Sequence, residues 1–410
     1  MKILKLSPYY EPEQIASSHF TRDLEEAYIN AGFEIEIYTP TPTRGVSKAI
    51  REKYKKIKYE EKYDGKIKVH RFAMFAEGKN PILRAIRYIL CNIAQYFKGI
   101  RSKNIDIIIT GSTPPTQGML VALIKRKLNV PVIYNLQDIF PDSLVNTGLT
   151  KKGSFLWKIG HVIEKYTYEN ADKIVVISED FKKNIMDKGV PEEKIEVIYN
   201  WVDENEVVPI NKNDNILFEK CNLNREQFYV VYAGNLGYAQ NIGVILKAAE
   251  RLIEYSDIKF VIFGGGQLED YYKDMARNMK LENVVFFPLQ PYSLVSNVYS
   301  LGDVSIVSCK EGFGKSAMPS KTWSIMSAAT AVVANFDVDT DLHRIIENNK
   351  VGLFTKAGDY EGLKNAILEL YRDRELCTIM GRNGREFILN NLTRGVGTQR
   401  YLNVIKELEE

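Results

Sequence analysis

The feature that most limits the fold of this chain is a regular alternation of short apolar runs and helical patterns. Short β-branched runs separated by helices predict parallel sheets built from βαβ units. The runs that we interpret as strands are KILKLS, FEIEIYT, DIIITG, VPVIYNL, KIVVIS, FYVVYAGNL, IKFVIFGGG, NVVFFPL, DVSIVS, TAVVAN and VGLF.

The alternation stops at a polar, Asn-rich stretch near residues 203–226 and then starts again. A chain of 410 residues is also longer than one ordinary hydrophobic core supports. Both observations predict two α/β domains, residues 1–205 and 206–385, with a helix in 386–410 that could return to the first domain. Ligands of open parallel sheets bind beyond the carboxyl ends of the strands, so we expect the ligand in a cleft between the domains.

Composition excludes several classes of protein. The chain is 45% hydrophobic and 26% charged, as is typical of a soluble globular protein. No apolar run reaches the roughly 18 residues of a membrane span, and the first residues lack the apolar core of a signal peptide. Four scattered cysteines without CxxC spacing and four scattered histidines favour a reducing cytoplasm and predict no metal site.

The net charge of +3 hides a strongly basic segment. Residues 44–103 contain 17 Lys and Arg against 5 Asp and Glu, which suggests an anionic partner. Residues 80–104 place apolar side chains at spacings of three, four and seven, beside the basic residues Arg84, Arg87, Lys98 and Arg101. This pattern fits a core helix and also a helix that rests on an anionic bilayer. Nucleic acid is not an expected partner, because no binding motif accompanies the charge.

Two glycine turns follow strands in the second half of the chain, in VVYAGNLGYAQNIG (230–243) and VIFGGGQLEDYY (261–272). Glycines let a phosphate approach backbone N–H groups at the start of a helix. Such turns are also common without a ligand, so both interpretations stay open. The second turn is not GxGxxG, which argues against NAD.

The stretch EGFGKSAMPSKTWSIMSAATAVVAN (311–335) combines an acid, a lysine and a helix start. Glu311 follows the strand DVSIVS, and Pro319 and Ser320 indicate a helix with Lys321 in its first turn. A lysine opposes the helix dipole there, so we interpret it as the partner of a bound anion. Glu311 would then accept hydrogen bonds from sugar hydroxyls. The alternative is an ordinary surface loop with a solvated acid and a solvated lysine.

Asp138 lies just after the strand VPVIYN, in NLQDIFPDS. A carboxylate there can orient a hydroxyl group or accept its proton. The alternative is that Asp138 caps the following turn, as we expect for Asp142.

The order of these motifs resembles the family 4 glycosyltransferases of the GT-B fold, in which two Rossmann-like domains with parallel sheets face each other across a cleft. GNLGYAQ, GGG, FFPLQPY and EGFG…PSKTWSIMSAA follow one another as in that family, and SPYYEPE, GSTPPTQG and LQDIFPDSLVNTG are similar to its early loops. The likeness is greater to the branch that builds bacterial O-antigen, capsule and colanic acid, including L-fucosamine transferases.

The resemblance implies a retaining enzyme that moves an N-acetylhexosamine or N-acetylfucosamine type of sugar from a UDP-sugar to a polyprenyl-diphosphate-linked saccharide. It implies no metal or other cofactor, and a cytoplasmic protein whose basic segment 44–103 contacts the inner face of the plasma membrane. In such enzymes a donor phosphate oxygen is commonly proposed to take the proton, so Asp138 would only position the hydroxyl group.

The chain departs from the family where the pyrophosphate and the ribose are held. Asn235 and Gln240 replace an Arg and a Lys, and Ser324 replaces the second Glu. Lys321 is then the main cation available to the diphosphate.

The predicted site residues fall into three sets. The catalytic set is Glu311, Asp138 and Lys321. The donor-binding set is Gly234, Asn235, Gly237, Gln240, Gly264, Gly265, Gly266, Pro288, Leu289, Gly312, Phe313, Gly314, Pro319, Ser320 and Ser324. The acceptor-side set is Ser17, Ser18 and Thr113.

Two other functions remain compatible with the sequence. A UDP-sugar 2-epimerase of related fold would need several carboxylates and a histidine around the sugar, and the chain offers few. A non-catalytic subunit of a polysaccharide assembly complex would explain the missing Arg, Lys and second Glu.

Overall fold

The computed structural model describes residues 1–13, 18–78, 80–146 and 150–409. The chain forms two compact units. The first consists of Met1–Tyr199 and Gly397–Glu410, and the second of Asn200–Val396.

The first unit contains an eight-stranded sheet. Its strands are β1 (Lys2–Leu6), β2 (Glu34–Pro40), β3 (Tyr59–Lys62), β4 (Ile67–Phe72), β5 (Ile107–Gly111), β6 (Val132–Leu136), β7 (Lys173–Val176) and β8 (Ile195–Val197). Its helices up to residue 199 are α1 (Ser18–Asn30), α2 (Lys48–Lys55), α3 (Pro81–Gly99), α4 (Gln117–Leu128), α5 (Asp142–Asn146), α6 (Phe155–Asn170) and α7 (Glu179–Asp187). The strand order is β3-β4-β2-β1-β5-β6-β7-β8.

The second unit contains a six-stranded sheet. Its strands are β9 (Phe228–Asn235), β10 (Ile258–Gly265), β11 (Val284–Phe287), β12 (Val304–Ser308), β13 (Ala331–Phe336) and β14 (Gly352–Lys356), in the order β11-β10-β9-β12-β13-β14. Its helices are α8 (Leu217–Lys220), α9 (Ile242–Arg251), α10 (Glu269–Asn278), α11 (Val295–Leu301), α12 (Lys321–Ser327), α13 (Asp341–Asn348), α14 (Tyr360–Arg372) and α15 (Arg374–Asn391).

The predicted parallel sheets are confirmed, with one antiparallel addition at an edge. Every residue of β12 and β13 is buried, which explains why these strands are continuous small or apolar runs. β3 pairs antiparallel with β4. Neither of these strands was predicted, and nor was the short β8. The sequence of β3, YEEK, has no apolar run, because its residues alternate between exposed and half-buried at the edge of the sheet.

Each sheet has one point at which the strand order changes direction. In the first unit β1 lies between β2 and β5, and in the second unit β9 lies between β10 and β12. Loops that leave neighbouring strands in opposite directions open a crevice at such a point, where ligands of α/β sheets bind.

The last helix, α16 (Arg394–Glu407), ends in the first unit. Tyr401 is buried there, and the Lys173 ammonium lies 2.7 Å from the Glu407 carboxylate.

The amphipathic helix α3 exposes its apolar stripe, so the interpretation of this stripe as part of a core is wrong. Seven of its large apolar side chains are between 43% and 69% exposed: Ile82, Leu83, Ile86, Ile89, Leu90, Ile93 and Phe97. Arg87, predicted beside the stripe, is instead completely buried. In the described ranges, none of the helices combines the length and the apolar content that a membrane span needs.

A second helix on the same side of the first unit, α6, also exposes apolar side chains. The helix α4 contacts both α3 and α6. Four residues of α6 are between 41% and 80% exposed: Phe155, Leu156, Ile159 and Val162. We name the exposed apolar residues of α3 and α6 together the apolar face.

Arg385 of α15 ties the start of the second unit to α12. Its guanidinium donates to the carbonyl oxygens of Val207 at 2.9 Å, Ser327 at 3.0 Å and Glu204 at 2.9 Å.

Arg385→Met leaves these acceptors without their donor, so we expect the second unit to lose about 3 kcal/mol of unfolding free energy, measured by urea denaturation. The matched control Arg382→Met, on the exposed side of the same helix, should change it by less than about 0.5 kcal/mol. Equal losses in both variants would contradict this role.

Candidate functional site

The glycine turn after β9 meets Lys321 in the second unit. The Lys321 ammonium lies 4.0 Å from the centre of the Tyr232 ring, and the Tyr232 hydroxyl donates to the Asn235 carbonyl at 2.8 Å. Gly234 has φ +144°, and a Cβ atom there would lie 2.7 Å from the ammonium nitrogen. Gly234 is therefore required by its backbone conformation, and its missing side chain leaves room for the Lys321 ammonium.

Lys321 as a residue is half-buried, but its ammonium end is enclosed by Tyr232 and Gly234. Burial of that end lowers the pKa of the amine from 10.5 to about 7. Within the described part of the chain no carboxylate lies within ion-pair distance of this ammonium. The solvated surface lysine that we considered as the alternative is thus not what the structure shows, and an anion at this position would supply the missing partner.

The GGG turn after β10 packs against the first glycine turn. The Leu236 N–H donates to the Gly265 carbonyl at 2.9 Å, and a Cβ atom on Gly264 would lie 2.7 Å from the Leu236 side chain. Gly266 has φ +153°, and a Cβ atom there would overlap the Asn235 side-chain oxygen. These glycines allow the two turns to touch, so part of their role is packing.

The loop after β12 is held by Asp337, which sequence reading missed. The Asp337 carboxylate accepts hydrogen bonds from the N–H groups of Gly312 at 3.0 Å and Gly314 at 2.7 Å. The loop also contacts the first glycine turn, because the Lys310 N–H donates to the Ala239 carbonyl at 2.8 Å. At the end of β12, the Ser308 hydroxyl donates to the Gln240 carbonyl at 2.7 Å. Asp337 directly follows β13, the neighbour of β12, so the rule on strand ends could have found it.

Glu311 stands on this loop with its side chain 68% exposed, and the Lys356 ammonium lies 3.5 Å from it. An exposed ion pair of this kind is worth about 0–1 kcal/mol, so a ligand hydroxyl can compete with Lys356. Glu311 also lines a pocket of about 600 Å³. Other lining residues are Tyr238, Asn241, Lys247, Tyr271 and Lys310, with the Lys310 ammonium 3.5 Å from the Tyr238 ring centre.

The remaining predicted donor residues lie on the same sheet edge, with fewer contacts between them. Pro288 and Leu289 follow β11, and Leu289 is exposed. Ser320 precedes α12, but its side chain accepts no capping hydrogen bond from the helix. The other positions are Asn235 and Gln240, whose side chains lie 3.3 Å apart across Gly237, then Phe313 with its ring near Tyr238, Pro319, and the half-buried Ser324.

The first unit has its own pocket, of about 510 Å³, beside β1 and β5. Thr113 lines it with Ser112 and Gln137, and the Gln137 N–H donates to the Ser112 hydroxyl at 3.1 Å. Ser17 lies outside the described residues, and Ser18 begins α1.

Asp138 is not one of the residues that line this pocket. Asp138 as a residue is exposed, yet partial burial of its carboxyl group raises the pKa of that group, and a hydrogen bond from Ser143 opposes the shift. Ser143 belongs to α5, so Asp138 contacts the helix that follows it through a side-chain hydrogen bond. Asp142 is engaged by Lys188 at 2.8 Å.

Asp337, Asp339 and Asp341 form two Asp-x-Asp spacings, a pattern of possible metal ligands that the sequence analysis did not consider. Asp337 holds backbone N–H groups, and Asp341 is buried and lies 3.7 Å from Arg344. In the described ranges no group of three or more His, Cys, Asp or Glu side chains is placed to hold a metal ion.

Comparison with known proteins finds two matching families, one for each half of the chain. Residues 17–206 match the family Glycosyltransferase Family 4, and residues 213–387 match Glycosyl transferases group 1. The probable glycosyltransferase WbjE of Pseudomonas aeruginosa is 24% identical over 75% of this chain and 76% of its own length. The putative colanic acid biosynthesis glycosyl transferase WcaI of Escherichia coli K12 is 23% identical over 85% of this chain and 86% of its own length.

Solved structures share the whole fold at low sequence identity. Sucrose-phosphate synthase from Thermosynechococcus elongatus superposes with a TM-score of 0.78 at 15% identity, covering 99% of this chain and 98% of that protein. Anabaena HepE in complex with UDP superposes with a TM-score of 0.73 at 16% identity, covering 99% and 100%.

Lys321 should cost the free protein stability. The folded-state pKa of about 7 lies below the ordinary value of 10.5, so between these values the unfolded chain binds more protons and unfolding free energy rises with pH. Below pH 7 both states are protonated and the full cost is present. We therefore expect Lys321→Met to be more stable than the wild type at pH 6.5, with a difference that shrinks toward pH 10.

Urea denaturation at pH 6.5, 8 and 9.5 measures this difference. Lys321→Arg, which keeps the charge, serves as the control and should gain no stability. A Met variant that is less stable by the same amount at every pH would show that Lys321 has a structural role instead.

Proposed function

Because the chain is a glycosyltransferase with the GT-B fold, we propose that it transfers a sugar from a UDP-sugar to a lipid-linked saccharide during assembly of a surface polysaccharide. The predicted fold and enzyme class are confirmed, and the comparisons favour the transferase over the epimerase and the non-catalytic subunit. The O-antigen and fucosamine branch stays a prediction, with support from the relatives WbjE and WcaI.

The observation that carries the proposal is the Lys321 ammonium beside Gly234, a cation without an acidic partner against an open turn of the backbone. A diphosphate supplies the negative charge, and UDP is the nucleotide in the related HepE structure. For the sugar we propose an N-acetylhexosamine or N-acetylfucosamine type, as the resemblance implies.

Transfer breaks the bond between the sugar C1 and a diphosphate oxygen and forms a bond from C1 to the acceptor oxygen. The leaving diphosphate gains negative charge, which Lys321 and the N–H groups of the Gly234 turn stabilise. Glu311 accepts hydrogen bonds from sugar hydroxyls. The anomeric configuration is retained, a donor phosphate oxygen takes the proton of the acceptor, and Asp138 has a positioning role. We further propose that no metal ion is needed.

The apolar face supports a peripheral contact with an anionic bilayer, where a polyprenyl-diphosphate-linked acceptor would reside. Basic side chains flank both helices. The exposed ones include Arg84, Arg101 and Lys103 near α3, and Lys151, Lys152, Lys158 and Lys165 near α6. Apolar burial and attraction to anionic lipid act together on such a surface. The predicted basic segment 44–103 therefore supplies part of the contact, and α6 is an addition.

The donor is tested by the thermal stability of the wild type with a panel of UDP- and GDP-sugars, with and without MgCl2. The true donor at a hundred times its Kd should add about 2.7 kcal/mol of stability. We expect a UDP-sugar to do so without MgCl2, and Lys321→Met to weaken its binding at least tenfold, whereas Lys321→Arg keeps most of it. A response to GDP-sugars alone would contradict the proposed UDP-sugar donor. A response that needs MgCl2 would contradict the proposal that no metal ion is needed.

Membrane contact is tested by flotation with phosphatidylglycerol vesicles. Burial of one large apolar side chain contributes about 1.5–3 kcal/mol, so Ile86→Ser with Ile93→Ser, or Phe155→Ser with Val162→Ser, should reduce binding at least tenfold. The control is Ile253→Ser with Ile379→Ser, two similarly exposed residues of the second unit. Binding that persists in the α3 and α6 variants, or self-association of the wild type that these variants abolish, would overturn the proposed bilayer contact.

A further inference from the structure

The pocket of the first unit contains an arginine that sequence reading did not single out. Arg44 lines this pocket together with Tyr9, Ser112 and Thr113. We propose that its guanidinium binds an anionic group of the acceptor, a phosphate or a carboxylate. This inference rests on the proposed function, because the acceptor is the substrate that this pocket would receive.

The buried Glu13 carboxylate holds the backbone around Arg44 in place. The N–H groups of Thr43 and Arg44 donate to one oxygen of the Glu13 carboxylate at 2.7 and 2.8 Å. The Tyr10 N–H donates to the other oxygen at 3.2 Å, and Glu13 is buried. Glu13 thus joins the loop after β2 to the loop after β1, so the position of Arg44 is defined before a ligand arrives.

The Arg44 side chain is positioned by an aromatic ring that is itself fixed. Its guanidinium carbon lies 5.4 Å from the centre of the Tyr9 ring, which is within the range of a cation–π contact. The Tyr9 hydroxyl donates to the Glu77 carboxylate at 2.6 Å. The buried Arg87 lies 5.7 Å from the same ring centre and donates to the Thr43 hydroxyl at 3.2 Å.

The acidic groups around the pocket are already engaged. The Lys5 ammonium lies 2.7 Å from the Glu25 carboxylate, which also accepts from the Tyr10 hydroxyl at 2.9 Å. Among the described residues no carboxylate lies within ion-pair distance of the Arg44 guanidinium. Its N–H donors are therefore available to a ligand.

The geometry of a guanidinium matches phosphate and carboxylate groups, which it binds through two parallel hydrogen bonds. Both groups fit the proposed acceptor, since its lipid diphosphate and a uronic acid residue of its saccharide are both anionic. The hydroxyl groups of Ser112 and Thr113 in the same pocket can donate hydrogen bonds to saccharide hydroxyls or accept hydrogen bonds from them.

The test uses the full chain carrying Lys321→Met, so that a diphosphate is not held by the cation of the second unit. Inorganic pyrophosphate and glucuronate are titrated into this protein by calorimetry, each alone. We expect one of them to bind saturably. Arg44→Gln should weaken that binding at least tenfold, and Arg44→Lys less, because an ammonium keeps the charge without the two parallel donors.

Lys48→Gln is the matched control, since it removes an exposed positive charge four residues away and should leave binding unchanged. Tighter binding of pyrophosphate would assign Arg44 to the lipid diphosphate, and tighter binding of glucuronate would assign it to a uronic acid. Absence of binding by both probes, or equal binding by Arg44→Gln and its parent, would overturn the inference. Neither result affects the donor panel, so a failure of the proposed function is recognised separately.

Discussion

The ammonium of Lys321, held over the Tyr232 ring and against Gly234, is the interaction on which the second unit's candidate site depends. An amine in this position has lost much of its hydration and has gained an aromatic face in return, and burial keeps its pKa near 7. A protein under selection for stability alone would place an apolar side chain there. A bound anion would offset the lost hydration of this ammonium. For a glycosyltransferase that anion is the diphosphate of an activated sugar.

The same topological principle places both pockets. In each sheet the chain leaves two neighbouring strands in opposite directions, and the loops after those strands provide the polar groups. In the second unit Gly234 lies at the end of β9 and Glu311 follows β12, whereas in the first unit Tyr9 and Thr113 follow β1 and β5. The two loops of the second unit are joined by hydrogen bonds between backbone and side chains, so a ligand meets a largely prepared surface.

Much of the architecture could be predicted, because strands buried on both faces are continuous apolar runs that periodicity detects. The contact between Lys321 and Gly234 could not be predicted, since it depends on which strands are neighbours. Hydrophobic periodicity also does not tell whether an apolar stripe is covered. That is why the exposed row of α6 was missed, and why Arg87, placed beside the stripe of α3, was not expected to be buried. Roles that rest on one residue, such as that of Asp138, stay predictions.

The most direct test of this account is a crystal structure of the full chain grown with UDP. The account predicts that the diphosphate lies against the Gly234 turn with an oxygen about 3 Å from the Lys321 ammonium, the distance of a charge-assisted hydrogen bond. A nucleotide bound instead among Tyr238, Tyr271 and Lys310, with the Lys321 ammonium free of contact, would contradict it.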